Sequence, residues 1–503
     1  MKYLYNYLLL RAHFSLSFVQ RFTVGSLLFL SGIRMLGAQE RLLTLNDAFV
    51  LAEKQSLDAS IARNVFLNAV WHYRNYRATL LPNVVLDGSL PTLNRSLNTY
   101  QKEDGSYGFV ENNILTENLS LSVQQNIPFT GGVFAVQSQL QRMDQLNNKT
   151  TSYLSVPFTV TLQQPLFHAK TLKWAMRIEP ERYREAMKQY QVDMENVYLH
   201  VINYYFDLLL AKVNLDISGI NFDNAVKLAD IAKGKKNLGL ISQNEVYQLE
   251  LNKVNAESAV ISALQAYESR MLTLRNYLRM EGDGVFLPVI PEGFTHLDIT
   301  TEQVVALSHK NHPVTHSLNR RIMEAQRQID QAKANRGFNA DLYVSIGSTG
   351  SDLTLPDSYR HLQNRQMVSM GIRIPILDWG RGKGGVKLAE SEREVVTRQA
   401  EQTQLNFEQN IVLSVSQFRN QAKQVNLSYH ADSIARLRYE TAFQTFVMGT
   451  INVLDINSAQ MERDNARRKY INELYLSWLN YYNLRQITLF DFVSNTDVMH
   501  PAD

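Results

Sequence analysis

Few side chains in this sequence stand at spacings that could do chemistry. His309, His312 and His316 are three and four residues apart, which on one continuous helix would share a face and could hold a zinc ion. Pro313 interrupts that helix and the chain has no cysteine, so the run reads as ordinary helix surface and no metal is expected. The glycine-rich stretch from Gly380 to Gly385 has the look of a phosphate loop. It lacks the Walker spacing and the Ser or Thr after its lysine, and reads as a flexible junction. No nucleophile–base constellation emerges anywhere. These residues point away from an enzyme and from a cofactor.

The informative residues are two glycines in matching phrases. Gly449 minus Gly239 is 210, and at that offset Ile241, Ser242, Glu245 and Val246 match Ile451, Asn452, Asp455 and Ile456 in character. A glycine supplies the positive φ that ends one helix, and Ser242 or Asn452 can cap the next. Each phrase predicts the tight tip of a long helical hairpin. The elements that carry the tips are duplicated as well. Pro165 plus 210 is Pro375, and each proline closes a strand-like block as a strand-to-helix elbow.

From Tyr183 to Ala232 the apolar positions alternate steps of four and three, with one polar step at Ser218, a 3.5-residue period that imposes a left-handed supercoil. Residues 181–232 predict a rod of roughly 80 Å, and 386–446 a second one. Return helices are expected over 243–280 and 452–488. Upstream, 42–81 and 301–337 each read as a helix and align at an offset of 256, Leu51 with Leu307 and Ala78 with Ala334.

Between helix and elbow the pattern changes to alternation. Val84, Leu86 and Leu90 share one face, as do Leu342, Val344 and Ile346. Leu154, Val156, Phe158, Val160 and Leu162 alternate with Ser155, Thr159, Thr161 and Gln163, and Val368, Met370, Ile372 and Ile374 with Ser369, Gly371 and Arg373. Such segments, apolar on one side only, suit lipid-facing barrel strands. The first repeat has an insertion: a polar loop over 94–117 and a hairpin, Leu119 to Ile127 and Val133 to Leu140, whose place in the barrel wall is open at this point.

Composition sets the outer bounds. The 503 residues include only 12 Pro and 23 Gly, which suits long helices. The first 38 residues carry four basic and no acidic side chains around an uncharged run from Phe22 to Ile33, as a signal peptide does. Without them the chain has 51 − 4 = 47 basic against 48 acidic residues, which gives no support to a nucleic-acid partner.

Duplicated helices, elbow prolines, paired strands and glycine tips together resemble the outer-membrane efflux proteins, the TolC-like family, from about Leu42 to about Phe492. The resemblance implies a mainly α protein with a membrane β-barrel. Long coiled-coil hairpins form a trimeric α-barrel tunnel, and each protomer gives four transmembrane strands, or six if the inserted hairpin joins. An open strand set cannot close alone, so a homotrimer is also physically expected.

The expected organisation is a signal peptide over 1–38, a first repeat over 39–281 with strands 83–90, 118–127, 132–142 and 152–164, and a linker over 282–300. A second repeat follows over 301–492, with strands 339–347 and 367–375, then a tail over 493–503. The resemblance further implies an outer-membrane exit duct for efflux or type I secretion. Its partners would be a periplasmic adaptor (a membrane fusion protein) and, through it, an inner-membrane pump of RND, ABC or MFS type.

Gly239, Ile241, Ser242, Glu245, Gly449, Ile451 and Asn452 would then dock the adaptor. Asp455 matches an acidic position lining the closed tunnel end of the family. The family's second aspartate is Ser458 here, its tip tyrosine Phe446 and its tip arginine Ile451, so an apolar constriction through Phe446 and Ile451 is expected. The rival readings are a periplasmic or secreted coiled-coil structural protein and a passive porin.

Overall fold

The computed structural model describes residues 41–239, 241–281, 286–294 and 297–501. The expected signal peptide and part of the 282–300 linker lie outside them.

The duplication governs the helices. Helices α1 (Leu45–Gln55) and α2 (Leu57–Ala78) meet at Ser56, and α5 (Thr301–Asn311) and α6 (Val314–Arg336) meet at His312–Pro313. The single helices expected over 42–81 and 301–337 are therefore each two. Ser56 plus 256 is His312, so the break is itself repeated. In the first copy the break is capped by the Ser56 hydroxyl, which accepts from the Ala59 N–H at 3.2 Å; in the second Pro313 opens the new helix, having no N–H to leave unsatisfied.

The two long rods are α3 (Thr171–Asn237, 67 residues) and α7 (Arg381–Met448, 68 residues). At 1.5 Å per residue each is about 100 Å long, longer than the periodic stretch indicated. The return helices are α4 (Gln243–Tyr277) and α8 (Val453–Thr488). Starts 171 and 381, and 243 and 453, again differ by 210.

α3 packs on α4 and α8, and α7 on α8. Nearer the sheet α2 and α6 take the places of α4 and α8 beside the same two rods. Each half of the molecule is thus a layer four helices wide. Its core runs through Tyr190, Met194, Val201, Ile202, Tyr205, Leu208 and Leu209 of α3 against Phe49, Tyr267, Ile471, Leu474 and Tyr481. A short parallel pair, β1 (Arg41–Leu43) with β6 (Phe286–Pro288), crosses the middle. The buried Tyr205 hydroxyl bonds the Leu43 and Val289 carbonyls at 2.8 and 2.7 Å. The C-terminal segment returns to the same level, where His500 Nε2 lies 2.9 Å and Arg485 Nε 3.0 Å from the buried Glu195 carboxylate.

All the longer strands join one antiparallel sheet in the order β2-β3-β4-β5-β7-β8. Their spans are β2 Asn83–Gln101, β3 Tyr107–Ile127, β4 Gly132–Gln145, β5 Thr150–Leu166, β7 Asn339–Asp352 and β8 Gln363–Arg373. Two expectations change. Residues 94–117 are no polar loop: after a register shift between Ser89 and Thr92 the strands run on to a turn at 102–106. The inserted hairpin is part of the sheet, paired on both sides.

The sheet is inside out. Val84, Leu86, Leu119, Leu121, Val123, Phe134, Phe158, Ile346, Val368, Met370 and Ile372 are exposed on one face, Val368 by 73%, while Ser120, Ser122 and Ser345 are buried on the other. Cross-strand partners share a face. Val84, Val123, Val136, Val160 and Ile346 form one apolar row across five strands, and the next row holds Val85, Ser122, Gln137, Thr159 and Gly347.

One sequence expectation fails here. Register shifts around Val156–Pro157 place Val156 opposite Gln139 and Leu154 opposite Gln141. Those two side chains stand on the polar face, while Phe158, Val160 and Leu162 stay on the apolar one. A β-bulge adds one residue to a strand and reverses the alternation beyond it.

Candidate functional site: the paired hairpin tips

Both glycines have the conformation expected of them, φ +75° at Gly239 and +87° at Gly449. A Cβ at Gly239 would meet nothing within 4 Å, so that glycine serves backbone conformation and not packing within the protomer. The helix beyond each tip opens with a capping box. The Ser242 hydroxyl accepts from the Glu245 N–H at 3.2 Å, and the Glu245 carboxylate accepts from the Ser242 N–H at 2.8 Å. These Ser242 bonds hold the Glu245 carboxyl below the usual carboxylate range. In the second tip Asn452 Oδ1 accepts from the Asp455 N–H at 2.9 Å, with the return bond at 3.4 Å. Asp455 is exposed, and within the protomer its defined work is this cap.

The two tips form one unit. Leu228, Ala232, Val246 and Leu249 of the first hairpin pack with Tyr439, Phe446, Val453, Ile456 and Ala459 of the second, with Ile241 and Ile451 partly buried at the edge. Lys235 ties them. Its ammonium donates to the Phe446 carbonyl at 2.5 Å and lies 4.6 Å from the Phe446 ring centroid. The same carbonyl accepts the Gly449 N–H at 3.0 Å, so the lysine is its second donor, at the C-terminal end of α7, where the helix dipole favours a cation.

Phe446 is 3% exposed in this core. A ring enclosed between hairpins of its own protomer cannot line a lumen, so its expected place in the constriction is withdrawn. Ile451 and the exposed Asp455 remain.

The tip surface carries large apolar groups that sequence reasoning passed over. Leu238 is 76% exposed, Met448 73% and Leu454 68%. Leu238 plus 210 is Met448. A bulky apolar residue directly before each tip glycine was therefore a legible signal. Lys235 was not, because nothing local says that it reaches another hairpin.

Pro165 lies one residue before the end of β5, opposite Asp341, and Pro375 two residues after β8. Positive φ at Phe167 and at Trp379–Gly380 turns the chain from strand into rod.

The three histidines separate. His309 faces Glu408 at 3.3 Å, the His312 ring lies 4.7 Å from that of Phe407, and His316 bonds Glu181 at 2.7 Å. Among the described residues no helix is long and apolar enough to cross a membrane.

A layer of paired helical rods, joined at one end by glycine tips and fused at the other to an inside-out sheet, is the fold of solved outer-membrane channels. Residues 307–488 match the family model described as "Outer membrane efflux protein". Over those residues the chain is similar to that family, and a likeness of fold to solved channels extends over most of its length.

The CmeC outer membrane channel of Campylobacter jejuni superimposes with a TM-score of 0.64 at 15% identity, covering 91% of this chain and 87% of that one. VceC of Vibrio cholerae gives 0.61 at 15% identity over 90% and 97%. The open-state MtrE outer membrane channel of Neisseria gonorrhoeae gives 0.59 at 12% identity over 91% and 90%. At such identities the likeness is one of fold. No curated protein sequence matches the chain.

Proposed function

We propose that this chain forms a trimeric exit duct for efflux or type I secretion, with its sheet in the outer membrane and its rods as a periplasmic tunnel. The observation that carries the reading is the inside-out sheet. Exposed apolar residues over buried serines are the reverse of a soluble protein and the arrangement lipid demands of a barrel wall. Unpartnered stripes on the outer helices of the layer support self-association: Leu57, Ile61 and Val65 on α2, Tyr247, Leu251, Val254 and Ile261 on α4, and Leu413, Leu427 and Ile434 on α7 are all exposed. Exposed apolar area on this scale marks an interaction surface. Three copies in a ring would set α2 and α4 of one against α7 of the next. The two repeats, 39–281 and 301–492, would each give the ring one rod and its return helix.

The tips are the docking end. A periplasmic adaptor would cover Leu238, Met448 and Leu454 and pack beside Gly239, Ile241, Ser242, Glu245, Gly449, Ile451 and Asn452. An inner-membrane pump would supply the energy. Ile451 and Asp455, repeated three times, would ring the closed end.

The test is the double variant Gly239→Trp, Gly449→Trp, read by trimer abundance in outer-membrane fractions beside a substrate-accumulation assay. Normal abundance with export lost is expected. Full export by the well-assembled variant would remove tip docking, and loss of export and trimer together would leave the glycines a role in folding only.

A further inference from the structure

The six-stranded sheet has two free edges, β2 and β8. Successive strands alternate in direction, so the two edges run antiparallel to one another and are able to pair. In lipid an unpaired backbone group on an edge has no water to bond and is strongly disfavoured. β8 is ill-suited to a free edge: its eleven residues contain no proline, and Val368, Met370 and Ile372 make its outer side apolar.

We propose that β8 of one copy pairs with β2 of the next, so that the outer hairpin β2–β3 is barrel wall with the rest and three copies close a single ring of 3 × 6 = 18 strands. This rests on the trimeric reading above. The alternative uses two strands from each repeat, β4 and β5 with β7 and β8, and leaves β2 and β3 outside a ring of 3 × 4 = 12 strands. That would require breaking the β3–β4 ladder, which runs unbroken from Ile114↔Gln145 to Ile127↔Gly132. It would also set in water a hairpin that carries the wall pattern. Val84, Leu86, Leu119, Leu121 and Val123 are exposed on its outer face, whereas Ser120 and Ser122 are buried on the other.

Barrel diameter grows roughly linearly with strand number, so the eighteen-stranded ring is about 1.5 times as wide as the twelve-stranded one. Rings of that size enclose a water-filled channel. The membrane outlet then imposes no sieve of its own, and cargo that clears the tips leaves freely.

The chain has no native cysteine, so introduced pairs report alone. One panel places cysteine at Val84, Leu86 or Gly88 on β2 with cysteine at Val368, Met370 or Ile372 on β8. The second replaces the β2 partner by Phe134, Val136 or Ser138 on β4. Full-length protein in outer membranes is oxidised, or joined with a short thiol linker, and run on denaturing gels, with native sizing in parallel. Covalent trimers from the β2–β8 panel and none from the β4–β8 panel are expected. Trimers linked through β4–β8, or a protein that sizes as a trimer yet gives no β2–β8 link, would overturn the eighteen-stranded wall alone. A protein that sizes as a monomer would overturn the trimeric duct as well.

Discussion

Arginine at Val160 and arginine at the adjacent Thr159 should have very different consequences. Val160 lies between Val136 and Ile346 in the apolar row, and Thr159 between Gln137 and Gly347 in the row beneath it, on the opposite face. A lipid-facing arginine costs about 2–4 kcal/mol at the bilayer midplane. Three copies multiply that to about 6–12 kcal/mol per trimer, comparable with the whole stability of an ordinary domain. In the proposed barrel Thr159→Arg would turn its charge toward polar groups and an aqueous interior, so its cost should stay near about 1 kcal/mol or below per copy. The assay is trimer recovered from outer membranes on unheated gels, together with urea titration of protein refolded into vesicles. Val160→Arg should leave little trimer and lower the unfolding midpoint, while Thr159→Arg stays near wild type. Val156 is no substitute for Val160, because the bulge has moved it to the other face, where it is 7% exposed. Equal damage at Thr159 and Val160 would refute the assignment of lipid and lumen faces, and with it the barrel.

Asp455→Asn should reduce cation selectivity of purified trimers in planar bilayers while leaving assembly intact, since an amide oxygen can keep the capping bond and only the ring of charge is lost. Unchanged selectivity would leave Asp455 as a helix cap and nothing more. His312 should make the protein acid-sensitive. Burial lowers its pKa to about 4, against an ordinary value near 6.5. The folded form therefore holds the neutral ring, its contribution is complete above about pH 6.5, and it is lost progressively as the pH falls toward 4. The loss is bounded at about 3 kcal/mol per copy. His312→Leu should flatten thermal stability between pH 7 and 5, and an unaltered pH slope would show that another group controls it.

What could be read in the sequence was local and repeated. Gly239, Gly449, Ser242 and Asn452 act through their own backbone or through a residue three positions away, and both tips form as their residue types require. The offset of 210 likewise carried the rod and return-helix starts, because identical lengths between punctuating residues need no tertiary information.

What could not be read depended on a distant partner. Alternation alone put Val156 with Phe158 and Val160, and only pairing against Gln139 of β4 reveals the added residue that turns it over. Phe446 stands where a tunnel-lining ring was expected, yet Lys235, 211 positions earlier, holds its carbonyl from another hairpin and fixes the ring inside the tip core. Residues 94–117 read as loop because asparagine, serine and glycine are frequent in them. In an isolated chain those residues favour turns, but in a ladder whose next strand is already in place they need only alternate. That leaves the edges to decide the matter. A hairpin with weak intrinsic strand preference is stable at the rim of a sheet when its free side also finds a partner, and β8, the other free edge of this sheet, runs antiparallel to β2 and would supply one from a neighbouring copy.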